Sequence, residues 1–318
     1  MDLELVQVGL IACHVALVLV VGPVFLVGIT NRVKARWAGR RGPRLNQVWF
    51  DWLRLLRKTP VYGAPTSWLF PLAPIVVLAS TLTAALVCPV VPGFAPLSFD
   101  GDFVMFAYLL GLGRLLLMLG ALDTGSSFEG MGASREATYA ALAEPSFLLA
   151  LGTLAWASGS LSFKDLAAVQ GGWPVAVTLR AAIAAALLVV LLVESSRVPA
   201  DDPTTHLELT MVHEVMILDH SGPELAIVQY ASAMKMTLLA AVVASLANPF
   251  AAGGEPIATV AATAMTMVLL AAIAGGIGLV ESLTARLRFR ALPLFVLASF
   301  LTVAVAYVVV GQNAGATQ

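Results

Sequence analysis

Charged residues are scarce in this chain. They make up 12% of its 318 residues, against about 25% in a typical soluble domain, so roughly half of the usual solubilising charge is missing. The formal net charge is only −1, which argues against a basic surface that binds nucleic acid and against a long acidic tail. The composition therefore excludes an ordinary soluble domain and predicts that nucleic acid is not a partner.

Cysteine is also nearly absent. Cys13 and Cys88 are the only two, and they lie in apolar stretches far apart in the sequence. Two such residues make neither a disulfide framework nor a four-thiolate iron–sulfur or zinc site. The sequence also shows no phosphate-binding loop, dinucleotide fingerprint or nucleophile–base pair. We therefore expect a chain that binds no cofactor and has no catalytic centre of its own, so that any redox step takes place in a partner.

Long apolar runs, in contrast, are abundant. Hydrophobic residues make up 59% of the sequence, and a membrane-spanning helix needs about 20 consecutive, mostly apolar residues. Eight stretches meet this requirement: 5–29, 69–90, 103–122, 138–157, 175–193, 225–247, 256–279 and 291–310. The predicted fold is all-α, a polytopic membrane helix bundle with about eight transmembrane helices in the lipid bilayer, and residues 1–318 form a single integral membrane domain.

Lysine and arginine predict the orientation of this bundle, because cytoplasmic loops of membrane proteins carry an excess of both. The loops on one predicted side contain only Lys164. The loops on the other side contain Arg32, Lys34, Arg36, Arg40, Arg41, Arg44, Arg54, Arg57, Lys58, Arg135, Arg197, Arg286, Arg288 and Arg290. This second side, called the inner side below, is predicted to face the cytoplasm. Both termini would then lie outside, and the chain would be a multi-pass protein of the cytoplasmic membrane.

The first inner loop contains the pattern of an amphipathic helix. Its apolar residues at helical spacing are Val48, Trp49, Trp52, Leu55 and Leu56, and the polar residues between them include Arg54, Arg57 and Lys58. A helix with a basic polar face suits the headgroup layer of a membrane. Two roles stay open for it, a simple anchor or the rim of an opening at membrane level.

Two other inner segments, 123–145 and 194–223, are unusually rich in ionisable residues. In the second of them, Thr205 and Glu208 match a capping box, which predicts a helix from about Thr205 to Asp219. The acidic and basic groups of both segments are typical of a docking surface for a cytoplasmic partner.

Three of the four histidines of the chain, His206, His213 and His220, lie in the second segment. Residues seven apart in a helix are separated by about 10 Å along its axis, whereas zinc–nitrogen bonds are about 2 Å long. No metal site is therefore predicted. The histidines and the neighbouring carboxylates are either solvated groups that contact a partner or titratable groups that pass protons.

Several ionisable residues fall inside the predicted spans, where an unpaired charge costs several kcal/mol. Glu144 lies about six residues into the fourth span, Arg114 and Lys235 lie near the middle of the third and sixth, and Glu194 closes the fifth on the inner side. One hypothesis is static neutralisation, for example of Glu144 by Arg114. The other, which we favour, is a hydrated polar line from the inner loops to the middle of the membrane.

At these segments the chain resembles the family of subunit 1 of respiratory complex I and its relatives in membrane-bound group 4 nickel–iron hydrogenases. The residues that match the motif of the quinone-reducing branch are Glu194, Arg197, Pro199, Asp201, Pro203, Glu208 and Leu209. Thr204 and His206 stand where that branch has acidic residues, and Asp202 stands where an apolar residue is usual. These departures favour the hydrogenase branch, with the membrane subunits of formate hydrogenlyase and hydrogenase-4 type complexes.

This resemblance implies a membrane-anchor and proton-coupling subunit of a respiratory hydrogenase or formate hydrogenlyase-like complex. Such a subunit docks a peripheral redox arm of hydrogenase-like large and small subunits, and it adjoins antiporter-like membrane subunits. Iron–sulfur clusters, and in hydrogenases a nickel–iron centre, would belong to the partners. The alternatives are subunit 1 of an NADH:quinone oxidoreductase and a self-sufficient ion or solute transporter.

The resemblance also implies that Glu144 and the 194–208 group start the coupling route and that Arg135 and Arg197 orient these carboxylates. Together with the ionisable residues discussed above, it defines a candidate proton path. The predicted members are Glu144, Glu194, Asp201, Asp202, His206, Glu208, His213, Glu214 and Lys235, with Arg114, Arg135 and Arg197 as charge partners.

Overall fold

The structure is a computed structural model, and it describes residues 3–169, 175–201, 211–250, 256–284, 287 and 291–316. Within these ranges the chain is helical and has no strand. Eight helices are long and apolar enough to cross a membrane: Gln7–Trp37, Leu69–Val87, Asp102–Asp123, Ser127–Ser158, Val175–Glu194, Gly222–Ala247, Ala258–Leu283 and Leu292–Gln312. The predicted all-α bundle of eight spans is therefore confirmed, and the protein is an integral multi-pass membrane protein.

We number the helices in chain order. A π-helical turn, Leu17–Val21, joins the first two into one span. The helices are α1 (Leu3–Ala16), α2 (Gly22–Trp37), α3 (Gln47–Leu56), α4 (Leu69–Val87), α5 (Asp102–Asp123), α6 (Ser127–Ser158), α7 (Val175–Glu194), α8 (His213–Met216), α9 (Gly222–Ala247), α10 (Pro256–Leu283) and α11 (Leu292–Ala316). Helix α3 is the predicted amphipathic helix.

Helix α9 lies at the centre of the bundle. Its most apolar stretch is 72% buried, against 22% for the corresponding stretch of α11, and it packs against α2, α4, α7 and α10. A polar residue in the middle of α9 therefore faces other helices rather than lipid. This central position determines the surroundings of Lys235.

Helix α6 is much longer than the sequence predicts. It begins at Ser127 rather than at 138, so most of the connection between the predicted spans 103–122 and 138–157 is helix. Two acidic residues of this first part, Glu129 and Glu136, contact neighbouring elements, whereas Ser127, Ser134 and Thr138 are exposed. Glu129 is fully buried and accepts a hydrogen bond from the Asp219 backbone N–H, and Gly132 lies against Val215 and Met216 so closely that a Cβ atom would clash.

The predicted helix from Thr205 to Asp219 is wrong in the part that the structure describes, which begins at Met211. There only His213–Met216 is helical. Carboxylates from elsewhere in the chain accept hydrogen bonds from backbone N–H groups at the start of this short helix and just after its end. Asp201 accepts hydrogen bonds from the N–H groups of Val212 and His213, and Glu129 accepts the one from Asp219, so helical hydrogen bonds are not needed there.

Loops on the same predicted side contact one another. On the inner side, Leu287 donates its backbone N–H to Pro199, and Ser67 donates to Asp123. On the opposite side, Gly101 donates to Leu161. This grouping is what eight successive crossings produce, while the assignment of the inner side to the cytoplasm stays a prediction.

Candidate proton-transfer site

The carboxylate of Glu194 lies between two cations in the interior of the bundle. Nη2 of Arg114, on α5, donates to both oxygens of this carboxylate at 2.7 Å. Nζ of Lys235, on α9, lies 3.4 Å from Oε2. The side chains of Arg114 and Glu194 are only 5% and 8% exposed, so this pair is shielded from solvent. Three different helices therefore contribute to one buried ion cluster.

Arg114 also contacts two carboxylates of α6. Its Nη1 donates to Oε1 of Glu144 at 3.0 Å, and its Nε lies 3.5 Å from Oε1 of Glu136. The proposed contact between Glu144 and Arg114 is thus present, but it is one part of a larger arrangement. We call the set Arg114, Glu136, Glu144, Glu194 and Lys235 the central cluster.

The central cluster contains three carboxylates and two cations. Because an uncompensated charge in a low-dielectric interior is costly, such a set is stabilised when it takes up one proton. Arg114 stays protonated in proteins, so the exchangeable proton belongs to the carboxylates or to Lys235. The arrangement is chemically suited to hold and pass on a proton.

Glu144 extends this cluster to the side of the bundle. Its side chain is 49% exposed, whereas the other members are largely buried. It lies near the middle of α6 rather than close to its beginning, because that helix starts earlier than predicted. The cluster therefore leads from the protein interior to a lateral surface at membrane depth.

Two small cavities lie on either side of Arg114. One, of about 30 Å³, is lined by Glu136, Lys235 and His213 among others. The second, of about 40 Å³, is lined by Glu144, Glu194 and other residues of the bundle. A cavity holds a water molecule when its accessible volume exceeds roughly 10–15 Å³. Both therefore have room for water between titratable groups.

A larger pocket of about 330 Å³ lies beneath α3. Val48 and Trp52 of α3 form part of its wall, together with Arg197, His213 and Glu214 among others. Helix α3 thus lines an opening, which is one of the two roles that its amphipathic pattern left open. His213 and Ser232 line both this pocket and the cavity beside Glu136, so they lie between the two spaces.

The two titratable groups between the pocket and the cluster have shifted pKa values. Burial, with a smaller effect of Lys235, lowers the pKa of His213 to about 4. Burial and the nearby Asp201 raise the pKa of Glu214, and Arg197 offsets part of this rise. His213 is therefore neutral near pH 7 and is able to accept or donate through its ring nitrogens.

The predicted charge partners on the inner side lie elsewhere. Arg197 contacts Glu281 at 3.3 Å, and Lys34 contacts the second oxygen of the same carboxylate at 3.4 Å. Arg135 donates to the backbone oxygen of Met211 at 2.9 Å. In the described part of the chain, the guanidinium that neutralises Glu144 and Glu194 is that of Arg114.

Asp201 has a positioning role in the described structure, because it accepts the backbone N–H of His213 at 3.0 Å and so holds the start of α8. The predicted members Asp202, His206 and Glu208 lie outside the described residues. Among the described residues, no group of three or more histidine, cysteine or acidic side chains has the geometry of a metal site.

Sequence reasoning missed Glu136 and Glu281. Glu136 falls in a segment that was assigned to a loop, and only the longer α6 places it about two turns before Glu144 on the same side of the helix. Glu281 lies at the inner end of α10, and its side chain is 1% exposed. For Glu281, the available signal in the sequence was a lone acidic residue at the end of an otherwise apolar stretch.

Comparisons with known proteins agree with this architecture. The model of the NADH dehydrogenase family matches residues 10–312. The chain is 31% identical over 292 residues to formate hydrogenlyase subunit 4 of Escherichia coli K12, covering 90% of this chain and 93% of that protein. It is 31% identical over 255 residues to hydrogenase-4 component C of the same organism, covering 80% and 79%.

More distant matches are NADH-quinone oxidoreductase subunits. That of Rubrobacter xylanophilus is 28% identical over 233 residues, covering 72% of this chain and 69% of that one. Among solved structures, a chain of the membrane-bound sulfane sulfur reductase, an archaeal respiratory membrane complex, has the same fold, with a TM-score of 0.79, 20% identity and coverage of 95% and 99%. This chain is a member of the NADH dehydrogenase family and belongs with the membrane subunits of formate hydrogenlyase and hydrogenase-4.

Proposed function

We propose that this protein is the membrane-anchor and proton-coupling subunit of a formate hydrogenlyase-like or hydrogenase-like respiratory complex in the cytoplasmic membrane. The central cluster carries the proposal. It places five ionisable residues from four helices at membrane depth, four of them largely buried, and such costly groups are typical of functional sites. Two relatives that match 90% and 80% of this chain are named as parts of formate hydrogenlyase and hydrogenase-4, which supports the same class of complex.

The proposed proton path begins in the pocket beneath α3. Glu214 and His213 line this pocket, and His213 also borders the cavity at Glu136 and Lys235. From there Glu194, which contacts Lys235 and Arg114, connects to the second cavity and to Glu144. Each step is a hydrogen bond, an ion pair or a cavity with room for water, so a proton moves without a charge crossing bare hydrocarbon.

The electrons of the reaction stay outside this chain in the proposal. Its two cysteines are free, and Cys88 is fully buried in the apolar core. Iron–sulfur clusters, and a nickel–iron centre where the complex is a hydrogenase, belong to the peripheral large and small subunits. We propose that these subunits dock on the inner segments, and that an antiporter-like membrane subunit covers the side where Glu144 is exposed.

The test is made in the assembled complex. Glu194→Gln and Glu144→Gln are each expected to lower coupled turnover at least about ten-fold, as loss of a positioned proton-transfer group does, while the complex still assembles. Asp102→Asn serves as a control, because Asp102 is a buried carboxylate at the other end of the bundle that accepts the backbone N–H of Phe163. Turnover and proton movement at the wild-type level in both Gln variants would contradict the proposal.

The second candidate is subunit 1 of an NADH:quinone oxidoreductase-type complex. The pocket beneath α3 and the 28% identity to the NADH-quinone oxidoreductase subunit of Rubrobacter xylanophilus favour it. Purification of the tagged chain from its native membrane distinguishes the two. A nickel-containing partner supports the hydrogenase assignment, whereas quinone reduction by the purified complex supports the alternative. Transport by the isolated chain in liposomes would instead support a self-sufficient transporter.

A further inference from the structure

Helix α3 lies along the side of the bundle at membrane level. Its Trp52 is 5% exposed and forms a buried cluster with Val24 of α2 and Ala233 of α9. Both partners belong to membrane-spanning helices and lie well away from the inner ends of these helices. Helix α3 is therefore attached beside the spans and does not extend beyond the inner end of the bundle.

A second apolar face of α3 is exposed. Trp49, Leu53 and Leu56 are 41%, 37% and 51% exposed. At 3.6 residues per turn they fall within a sector of about 60°, adjacent to the sector that packs inward. The opposite sector carries Asp51 and Arg54, which form an ion pair at 3.7 Å, and Lys58 follows at the end of the helix. At membrane level, such a helix places its free apolar face among acyl chains and its polar face among headgroups.

The exposed surroundings of α3 are aromatic and basic. Trp37, at the end of α2, and Trp68, just before α4, are 59% and 74% exposed, and tryptophan is typical of the membrane–water interface. In the turn before α3, Arg40, Arg41 and Arg44 are exposed, and no described carboxylate forms an ion pair with them.

We propose that residues 38–58 form a binding surface for anionic phospholipids of the inner leaflet. Arg40, Arg41 and Arg44 bind the headgroup phosphates, while the exposed face of α3 contacts the acyl chains. Charge complementarity favours this occupant, because basic residues beside an interfacial apolar face are attracted to anionic lipid. An acidic protein partner would account for the arginines but not for the exposed Trp49, Leu53 and Leu56. This inference is independent of the proposed coupling function.

The test uses tryptophan fluorescence of the full chain in vesicles. Four of the six tryptophans, Trp37, Trp49, Trp52 and Trp68, lie in or beside this surface. The chain is reconstituted in mixtures of phosphatidylcholine and phosphatidylglycerol in which one or the other is brominated. Phosphatidylglycerol is expected to bind at least about five-fold more strongly, the factor for a single arginine near an anionic surface. At about 1 M salt, where the Debye length is about 3 Å, the preference should disappear.

Matched triple variants locate the effect. Arg40→Gln/Arg41→Gln/Arg44→Gln is expected to bind both lipids equally. Arg286→Gln/Arg288→Gln/Arg290→Gln, which removes the same charge from another loop of the predicted inner side, should retain the preference. Equal quenching by the two lipids in the wild type, or equal loss of preference in both triple variants, would overturn the proposal.

Two further experiments test whether a soluble phosphate compound or a protein subunit occupies this surface instead. Inorganic phosphate and sodium chloride at equal ionic strength should have equal effects, and a stronger effect of phosphate would point to a site for a soluble phosphate compound. The same quenching measured in the assembled complex should keep the preference for phosphatidylglycerol. Its loss on assembly would show that a protein subunit covers this surface, and would overturn the proposal without affecting the assignment of the central cluster.

Discussion

Arg114 holds Glu194 through one nitrogen, Nη2, which donates to both carboxylate oxygens at 2.7 Å. The other two nitrogens of the same guanidinium face Glu144 and Glu136. One side chain thus contacts carboxylates from both α6 and α7. The central cluster therefore depends on Arg114 more than on any single carboxylate.

The first prediction concerns Arg114. Arg114→Leu leaves three carboxylates with Lys235 as their one remaining cation in the cluster, and removal of one partner from a buried ion pair costs about 3–5 kcal/mol. Arg114→Lys keeps the charge but not the planar set of donors, so its loss of stability should be smaller. Thermal unfolding of the purified chain in detergent measures both. Equal stability of Arg114→Leu and the wild type would show that the cluster is not a stabilising contact.

The second prediction is a pH dependence caused by His213. Its pKa is lowered to about 4 in the folded protein, against about 6.5 in an unfolded chain. The unfolded state therefore binds the proton first as the pH falls, and the folded state loses stability between about pH 6.5 and 4, with a slope of up to about 1.4 kcal/mol per pH unit. The variant His213→Gln has no such proton to bind. The difference between the apparent melting temperatures of the wild type and this variant should therefore change between about pH 6.5 and 4. A constant difference would contradict the lowered pKa of His213.

The third prediction concerns Tyr230. Its hydroxyl donates to the backbone oxygen of Leu19 at 2.7 Å. In an α-helix this oxygen would accept from residue 23, but Pro23 has no N–H to donate. Tyr230→Phe therefore leaves a carbonyl without its partner beside the π-helical turn, at a cost of about 1–3 kcal/mol. Adding Pro23→Ala supplies an N–H again and should recover part of the loss. Thermal unfolding of the two single variants and the double variant gives the coupling energy between the two positions. If the stability losses of the single variants add exactly in the double variant, this explanation is contradicted.

The fourth prediction concerns the contact between α6 and α8. A Cβ atom at Gly132 would clash with the side chains of Val215 and Met216. Gly132→Ala should therefore destabilise the chain by about 1–3 kcal/mol, and Val215→Ala should relieve part of this. Gly152→Ala, on the same helix, meets no atom within 4 Å and should be neutral or slightly stabilising because alanine favours helix. If both glycine variants unfold at the same temperature, the close packing of α8 against Gly132 of α6 is contradicted.

The residue pattern alone was enough to predict the number and the approximate positions of the membrane-spanning helices, because the length of an apolar stretch is a local property of the sequence. The amphipathic helix α3 was predictable for the same reason. The extent of α6 was not, since Glu129 and Glu136 read as loop residues until their partners Asp219 and Arg114 are known. Polarity in a sequence does not distinguish a solvated loop from a helix whose polar side chains are buried against other helices.

The sequence by itself determined that this is a helical membrane protein and pointed to the correct family. It also placed Glu144, Arg114 and Lys235 inside the membrane and Glu194 at the inner end of a span. Only the tertiary structure decided that these four meet, that Glu136 joins them, and that Arg197 instead contacts Glu281. The physical reason is that hydrophobic length and motif spacing are encoded along one segment. An ion cluster, in contrast, depends on the rotation and crossing of several helices, which the packing of the whole bundle sets.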